Sequence, residues 1–313
     1  MIKSKPKSPL KASPNGRAHL NGSEKPSAVR IAVQKTYKMY VGGAFPRSES
    51  GRYFKMTDAA GNLIANVCRG SKKDFRDAVV AARKAHSSWA SRTAYNKGQI
   101  LYRIAETLEG RKAQFVETLR LQGMNAAKAA ADVSAAIDRM VYYAGWSDKY
   151  QQVFSSVNPV ESSHFNFSFP EPTGVVSILM PEDGSLLAMV SLIGPAIVGG
   201  NSVIILAGEK YSLTAIELAE VLNASDLPGG VVNILTGHLK ELHGPFSNHM
   251  DVNAVVYAGN STEVLKSIQT NAALNVKRVV HYPASDWSAE NACGPYHILD
   301  LQEVKTTWHP IGI

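Results

Sequence analysis

Cysteine is nearly missing from this chain. Its 313 residues include two, Cys68 and Cys293, far apart in the sequence. Such a pair does not make a disulfide scaffold and fits a reducing compartment, so a cytoplasmic location is expected. No stretch of about 18 uninterrupted apolar residues occurs, so no membrane span and no membrane partner are expected. His164, His238, His243 and His249 are scattered, and no Cys/His/acid group has metal-ligand spacing, so no metal is expected. There is no internal repeat.

Charge of one sign is also scarce over most of the length. Residues 1–38 hold nine Lys or Arg and one acid, Glu24, whereas the remainder holds 24 basic and 25 acidic residues. The formal net charge of +7 therefore belongs to the N-terminal tail. Residues 1–33 are rich in Lys, Pro, Ser, Gly and Asn and have too little apolar surface to offset ordering, so they read as a disordered basic tail. The tail lacks the apolar centre of a secretory signal. It reads as a solvated extension, with an electrostatic tether as the alternative. No aromatic residue is interleaved with its lysines, so nucleic acid is not an expected partner.

What is present is apolar periodicity. Hydrophobic residues make up 45% of the chain, enough for a sizeable core. The spacing in 74–89 predicts one helix, that in 96–121 a longer one divided near Gly110, and that in 126–150 a third. "KTYKMYVGGAF" predicts a short strand turning at Gly42-Gly43. From Val153 to Phe169 the pattern predicts a β-hairpin, with "HFNFSF" alternating strictly. Five apolar runs follow, at 174–181, 201–207, 230–235, 252–258 and 276–282. Helices are predicted at 185–198, at 212–222 and after Ser261, and Gly199-Gly200 reads as a helix C-cap. This alternation predicts an α/β fold: a Rossmann-like, doubly wound parallel sheet preceded by helices.

Several segments in this order resemble the aldehyde dehydrogenase superfamily: "EPTGVVSILMP", "LIGPAIVGGNSVII", "SDLPGGVVNILTG", "NVKRV" and the terminal "QEVKTTWHPIGI". The resemblance spans roughly 37–282 and resumes in the last dozen residues. It implies an NAD(P)-binding-type domain over 34–150 and 170–282. It also implies a small oligomerisation sheet, built from the hairpin (151–169) and a terminal strand (299–313). NAD or NADP is the implied cofactor. Met180, Pro181, Glu209, Gly259 and Ser261 stand at the positions implied to bind it.

The implied chemistry is incomplete. Where the family has Pro-Trp-Asn, with an amide that holds an oxyanion, this chain has Pro181-Glu182-Asp183. An ionised carboxylate donates no hydrogen bond there and repels developing negative charge. The Lys-Pro-x-Glu run that grips the adenosine ribose is Leu206-Ala207-Gly208-Glu209, which keeps the acid and loses the cation. In the Gly-x-Thr-x-x-Gly turn near the pyrophosphate, Asn260 and Leu265 replace the glycines. Tyr282 falls where the general base is implied, and a phenol is a poor base at neutral pH. The domain carrying the nucleophile would take on the order of 150 residues. Only a connector, 283–298, separates the fifth strand from the terminal one. Cys293 lies in it with Glu290 nearby and His297 four residues on, which reads as an ordinary free thiol rather than a nucleophile. No catalytic residue is expected. The expectation is an inactive partner or structural subunit that joins a full-length aldehyde dehydrogenase or a second copy of itself. A nucleotide-binding regulatory module, or an oxidoreductase active only within a complex, is the alternative.

Overall fold

The structure, a computed structural model, describes residues 33–58, 60–283 and 286–312. The tail expected over 1–33 lies, except for Val33, outside the described residues. In chain order the elements are β1 (Thr36–Tyr37), β2 (Tyr53–Thr57), β3 (Leu63–Cys68), α1 (Lys72–Ala90), α2 (Ala94–Gly110), α3 (Lys112–Leu121), α4 (Ala126–Trp146), α5 (Tyr150–Phe154), β4 (Ser156–Asn158), β5 (His164–Pro172), β6 (Val175–Leu179), α6 (Leu186–Val198), β7 (Ser202–Leu206), α7 (Ser212–Ala224), β8 (Val232–Leu235), α8 (Leu239–Asn248), β9 (Ala254–Tyr257), α9 (Thr262–Ala273), β10 (Arg278–His281), α10 (Tyr296–Leu299) and β11 (Gln302–Pro310).

Five parallel strands form the central sheet in the order β10-β9-β6-β7-β8. Successive side chains of a strand point to opposite faces, and both faces are covered. Val176, Ile178, Val203 and Ile205 pack with α2, α4, α6 and α7 in one core. Val175, Leu179, Ile204 and Leu206 pack with α1, α8 and α9 in another. This two-sided burial is why the strands read as continuous apolar runs. The chain winds outward through β7 and β8, then returns to lay β9 on the other side of β6. Such a reversal opens a crevice beyond the carboxyl ends of β6 and β9.

The helices follow local signals. Ser71 and Asp74 close a capping box on α1, and Asn125 caps α4 by accepting from the Lys128 amide at 2.8 Å. The long predicted helix divides at Arg111, one residue after Gly110. Gly199 caps α6, and Gly200 takes φ +92°.

Three differences from the sequence reading stand out. The helix expected over 126–150 ends at Trp146, and Val153 and Phe154 close α5 instead of starting the hairpin. The strand expected in "KTYKMYVGGAF" is present as β1, with a turn at Gly42-Gly43, but its pairing into a three-stranded sheet, β1-β3-β2, and helix α8 were not anticipated. The small sheet is antiparallel, in the order β11-β5-β4. β11 runs beside β5 without a register break, from Gln302 opposite Pro172 to Pro310 opposite His164.

Candidate functional site

The carboxyl ends of the sheet open on a cleft of about 750 Å³. Pro181 and Asp183 follow β6, Lys210 follows β7 and Asn260 follows β9. Lys128 and Asp132 enter from α4, and Trp287 closes the cleft from the connector. Asp132 is buried and accepts from the Ser185 hydroxyl and, at 3.2 Å, from the Leu187 amide. It thereby caps α6, whose own N-cap Ser185 makes no side-chain cap. Burial raises the Asp132 pKa against the pull of these two hydrogen bonds.

All five residues expected to bind a cofactor lie beyond the carboxyl ends of β6, β7 and β9. Pro181 is on the cleft wall, and its carbonyl accepts from the Gly184 amide at 3.0 Å. Met180 is buried beneath it, its amide 3.3 Å from the Leu206 carbonyl. Glu209 faces a neighbouring depression with Phe54 and Gln122, and Lys210 lines both. Gly259 is covered by Tyr257: a Cβ there would lie 2.5 Å from the tyrosine oxygen. Ser261 caps α9, its Oγ accepting from the Val264 amide at 3.3 Å.

The groups that would meet a dinucleotide are engaged within the protein. Glu209 Oε2 is 2.7 Å from His238 Nδ1, and the His238 ring packs on Phe54. The Ser261 amide donates to Tyr257 Oη at 3.1 Å. Leu206 is 2% exposed and brings no cation. These residues do not fit the arrangement of ribose and pyrophosphate contacts that the motifs imply.

The positions implied for chemistry are similarly occupied. Glu182 and Asp183 form an exposed turn in which the Glu182 carbonyl accepts from the Lys210 amide at 3.0 Å. Tyr282 donates to Asp300 Oδ2 at 2.6 Å, and burial together with that carboxylate holds its proton well above the usual phenol range. Burial pushes the Cys293 thiol up, opposed by the Arg139 guanidinium and a hydrogen bond with Tyr143. A thiol held this way is protonated at neutral pH. His297 Nδ1 lies 3.4 Å from Tyr143 Oη, and burial lowers its pKa although Asp300 pulls the other way.

Arg139 ties the connector down. From α4, its Nη1 donates to Ser191 Oγ at 2.6 Å and to the Ala292 carbonyl at 2.7 Å, and its Nη2 donates to the Trp287 carbonyl at 3.0 Å. Among the described residues, no group of three His, Cys, Asp or Glu side chains could hold a metal ion. No helix of the described residues is long and apolar enough to cross a membrane.

Residues 45–282 match the sequence model of the Aldehyde dehydrogenase family. The chain belongs to the aldehyde dehydrogenase family. It is 34% identical over 289 residues to "Aldehyde dehydrogenase, cytosolic 1" of Elephantulus edwardii, a match covering 89% of this chain and 55% of that protein. Against "Aldehyde dehydrogenase 1A1" of Homo sapiens the identity is 32% over 259 residues, covering 80% of this chain and 50% of the human protein. A solved aldehyde dehydrogenase from Bacillus cereus in complex with NAD+ superposes with a TM-score of 0.75 at 27% identity. It covers 80% of this chain, which in turn covers 51% of it. The chain thus spans about half the length of the curated relatives it matches.

Asp132, Arg139, His238 and Tyr257 escaped the sequence reading. Asp132 and Arg139 had a signal: two charges seven apart, two helical turns, on a face otherwise made of Val133, Ala136 and Met140. His238 and Tyr257 had none, since their partners lie across the fold or around a turn.

Proposed function

We propose that this member of the aldehyde dehydrogenase family is a cytoplasmic, non-catalytic assembly subunit that joins a full-length aldehyde dehydrogenase or a second copy of itself. One observation carries the reading. Segment 282–301 alone joins the fifth strand of the sheet, β10, to β11, which lies paired along all of β5. In the resemblance, the domain with the nucleophile belongs at that place. Here the connector fills it and is held down by Arg139, with Ile298 and Leu301 buried in the main core.

The chemistry of the remaining groups agrees. The reaction needs a thiolate, a base and an oxyanion donor. The chain offers a proton-bearing half-buried thiol, a phenol bonded to Asp300, and an acidic turn. The assay is direct: the pure chain with short aldehydes and NAD or NADP is expected to give no turnover, and Cys293→Ala is expected to leave that result unchanged. Turnover lost in Cys293→Ala would overturn the reading. Co-purification with a full-length aldehyde dehydrogenase tests the partner role.

A second reading, a nucleotide-binding regulatory module, has Lys210 in its favour, since this cation lines both the cleft and the depression beside Glu209. Calorimetric titration with NAD and NADP separates the two readings; heat of binding without turnover supports the second.

A further inference from the structure

The amino-terminal end of the parallel sheet, opposite the cleft, carries a pocket of about 530 Å³. Thr173 precedes β6, Asn253 precedes β9, and Val276 and Lys277 precede β10; Arg278 and Glu303 complete its wall. Two polar atoms of this wall have no partner. Lys277 is 9% exposed and its Nζ makes no hydrogen bond, and the Oγ1 atom of Thr173 is likewise buried and unpaired. A buried ammonium without a hydrogen bond is costly to keep. Asp251 attracts it without bonding to it. Burial lowers the Lys277 pKa to about 8, with Asp251 pulling it back up and Arg83 pushing it further down, so at pH 7 the side chain is a cation.

The backbone beside Lys277 is strained. Val276 takes φ +53°, a left-handed conformation that a β-branched residue adopts only at a cost. Its side chain is 93% exposed, while the next residue turns inward, the Lys277 amide donating to the Ala272 carbonyl at 3.0 Å. Strain and a buried unpaired charge thus meet at one point, and such costs collect where binding requires them. Asn253 adds a donor. Its Oδ1 accepts from the Val175 amide at 3.0 Å and from Arg83 Nη2 at 2.7 Å. Neither partner can accept, so the amide orientation is fixed and what Asn253 has left is its NH2 group. Gly174, at φ +130°, makes room for it: a Cβ there would lie 2.3 Å from Asn253 Oδ1. Glu303 is the acid of the wall, and Arg278 Nη2 neutralises it at 3.0 Å.

We propose that this pocket binds a small molecule through an oxyanion, a phosphate or carboxylate group, held by Lys277 Nζ and Thr173 Oγ1. Turning the ammonium and the hydroxyl toward the pocket breaks no hydrogen bond, since neither makes one. A lysine head on a flexible stem, with three donors, is suited to such a turn. Charge-assisted hydrogen bonds to the anion then satisfy both atoms. A cationic ligand would instead meet the Lys277 charge. The proposal does not depend on the assembly reading, and it places the ligand at the end of the sheet away from the residues implied to bind a dinucleotide.

The test uses the full chain, titrated calorimetrically with sodium sulfate, phosphate and acetate at ionic strength held constant with chloride. Saturable binding of at least one of them is expected, and Lys277→Met is expected to weaken it roughly tenfold or more. Acetate alone assigns a carboxylate and sulfate with phosphate a tetrahedral anion; either result supports the site. Sulfate strengthens many folds by exclusion from their surface, so melting curves are compared between variants. In chloride Lys277→Met is expected to melt above the wild type, and added sulfate is expected to narrow that gap. Sulfate does not itself titrate near pH 8, whereas an anion beside Lys277 raises its pKa. Binding there is expected to take up protons, so its heat should vary with the buffer in the wild type and not in Lys277→Met. If Lys277→Met fails to fold, Thr173→Val, expected to bind several-fold more weakly, and the buffer dependence of the wild type decide instead. No saturable binding of any of the three anions, or equal affinity in wild type and Lys277→Met, overturns the proposal.

Discussion

Arg139 Nη1 donates to the carbonyl of Ala292 at 2.7 Å, across 153 positions of sequence. This contact, with the one from Nη2 to Trp287, holds the connector against α4 and α6. Arg139→Met removes the donors and leaves these carbonyls short of partners. A buried acceptor left unpaired costs about 1–3 kcal/mol. The variant is expected to lose stability of that order in urea, with faster proteolysis between 283 and 298. Cleavage unchanged from wild type would show that the connector is held by its apolar contacts alone.

Asp132 caps α6 from another helix, so its two neighbouring substitutions should differ. Asp132→Asn keeps an acceptor for the Leu187 amide and removes a buried charge, and is expected to be near neutral or stabilising at pH 7. Asp132→Ala leaves the helix N-terminus uncapped and is expected to cost about 1 kcal/mol. Burial raises the Asp132 pKa, so the folded state binds the proton more tightly than the unfolded state. Its contribution to stability therefore falls as pH rises through the acid range, and Asp132→Asn should flatten that part of the curve.

Lys277 has its Nζ buried without a hydrogen-bond partner, and burial lowers its pKa to about 8. Asp251 pulls the value back up and Arg83 pushes it further down. The unfolded chain binds this proton more tightly, so between about pH 8 and the ordinary lysine value stability should rise with pH. Below that window the cost of the buried charge is fully present. Lys277→Met is expected to raise the melting temperature at pH 7 and remove the rise above pH 8. A melting curve that keeps the rise would assign it to another group.

Gly194 of α6 lies where the ring of Tyr143 crosses from α4: a Cβ added there would be 2.6 Å from Cδ2. Both residues are buried, and the tyrosine is in the core. Gly194→Ala is expected to cost about 1–3 kcal/mol through overpacking, and more than the helix propensity of alanine returns. Restored stability in Gly194→Ala combined with Tyr143→Leu would assign the loss to this one crossing.

Much of the fold was legible because the central strands are buried on both faces. Val175–Leu179 and Ser202–Leu206 are apolar nearly throughout, and a run of that kind is plain in any window. Strands β2 and β3, which pair with the expected β1, were missed for the opposite reason. The burial of β2 alternates weakly, with Met56 its one buried residue, and the bulge at Met56/Thr57 breaks what pattern remains. Helix α8 was missed because Gly244 and Pro245 interrupt it. In the candidate site, the replacements at 182, 183, 206 and 282 were visible, since an absent residue type is read directly. That Glu209 is tied to His238 could not be read, because the contact forms between segments brought together by the fold, and that Tyr257 covers Gly259 could not be read, because it depends on how the chain turns after β9.

The amino-acid order by itself determined the family, the alternation of strands and helices, and which reactive side chains are present, since all three are carried by residue type at short range. Tertiary structure decided which polar groups are already satisfied, that the connector is held down by Arg139, and which edge of β11 faces solvent. Those outcomes depend on hydrogen bonds and burial set by the path of the chain, between residues from 4 to 153 positions apart, where sequence spacing carries no distance.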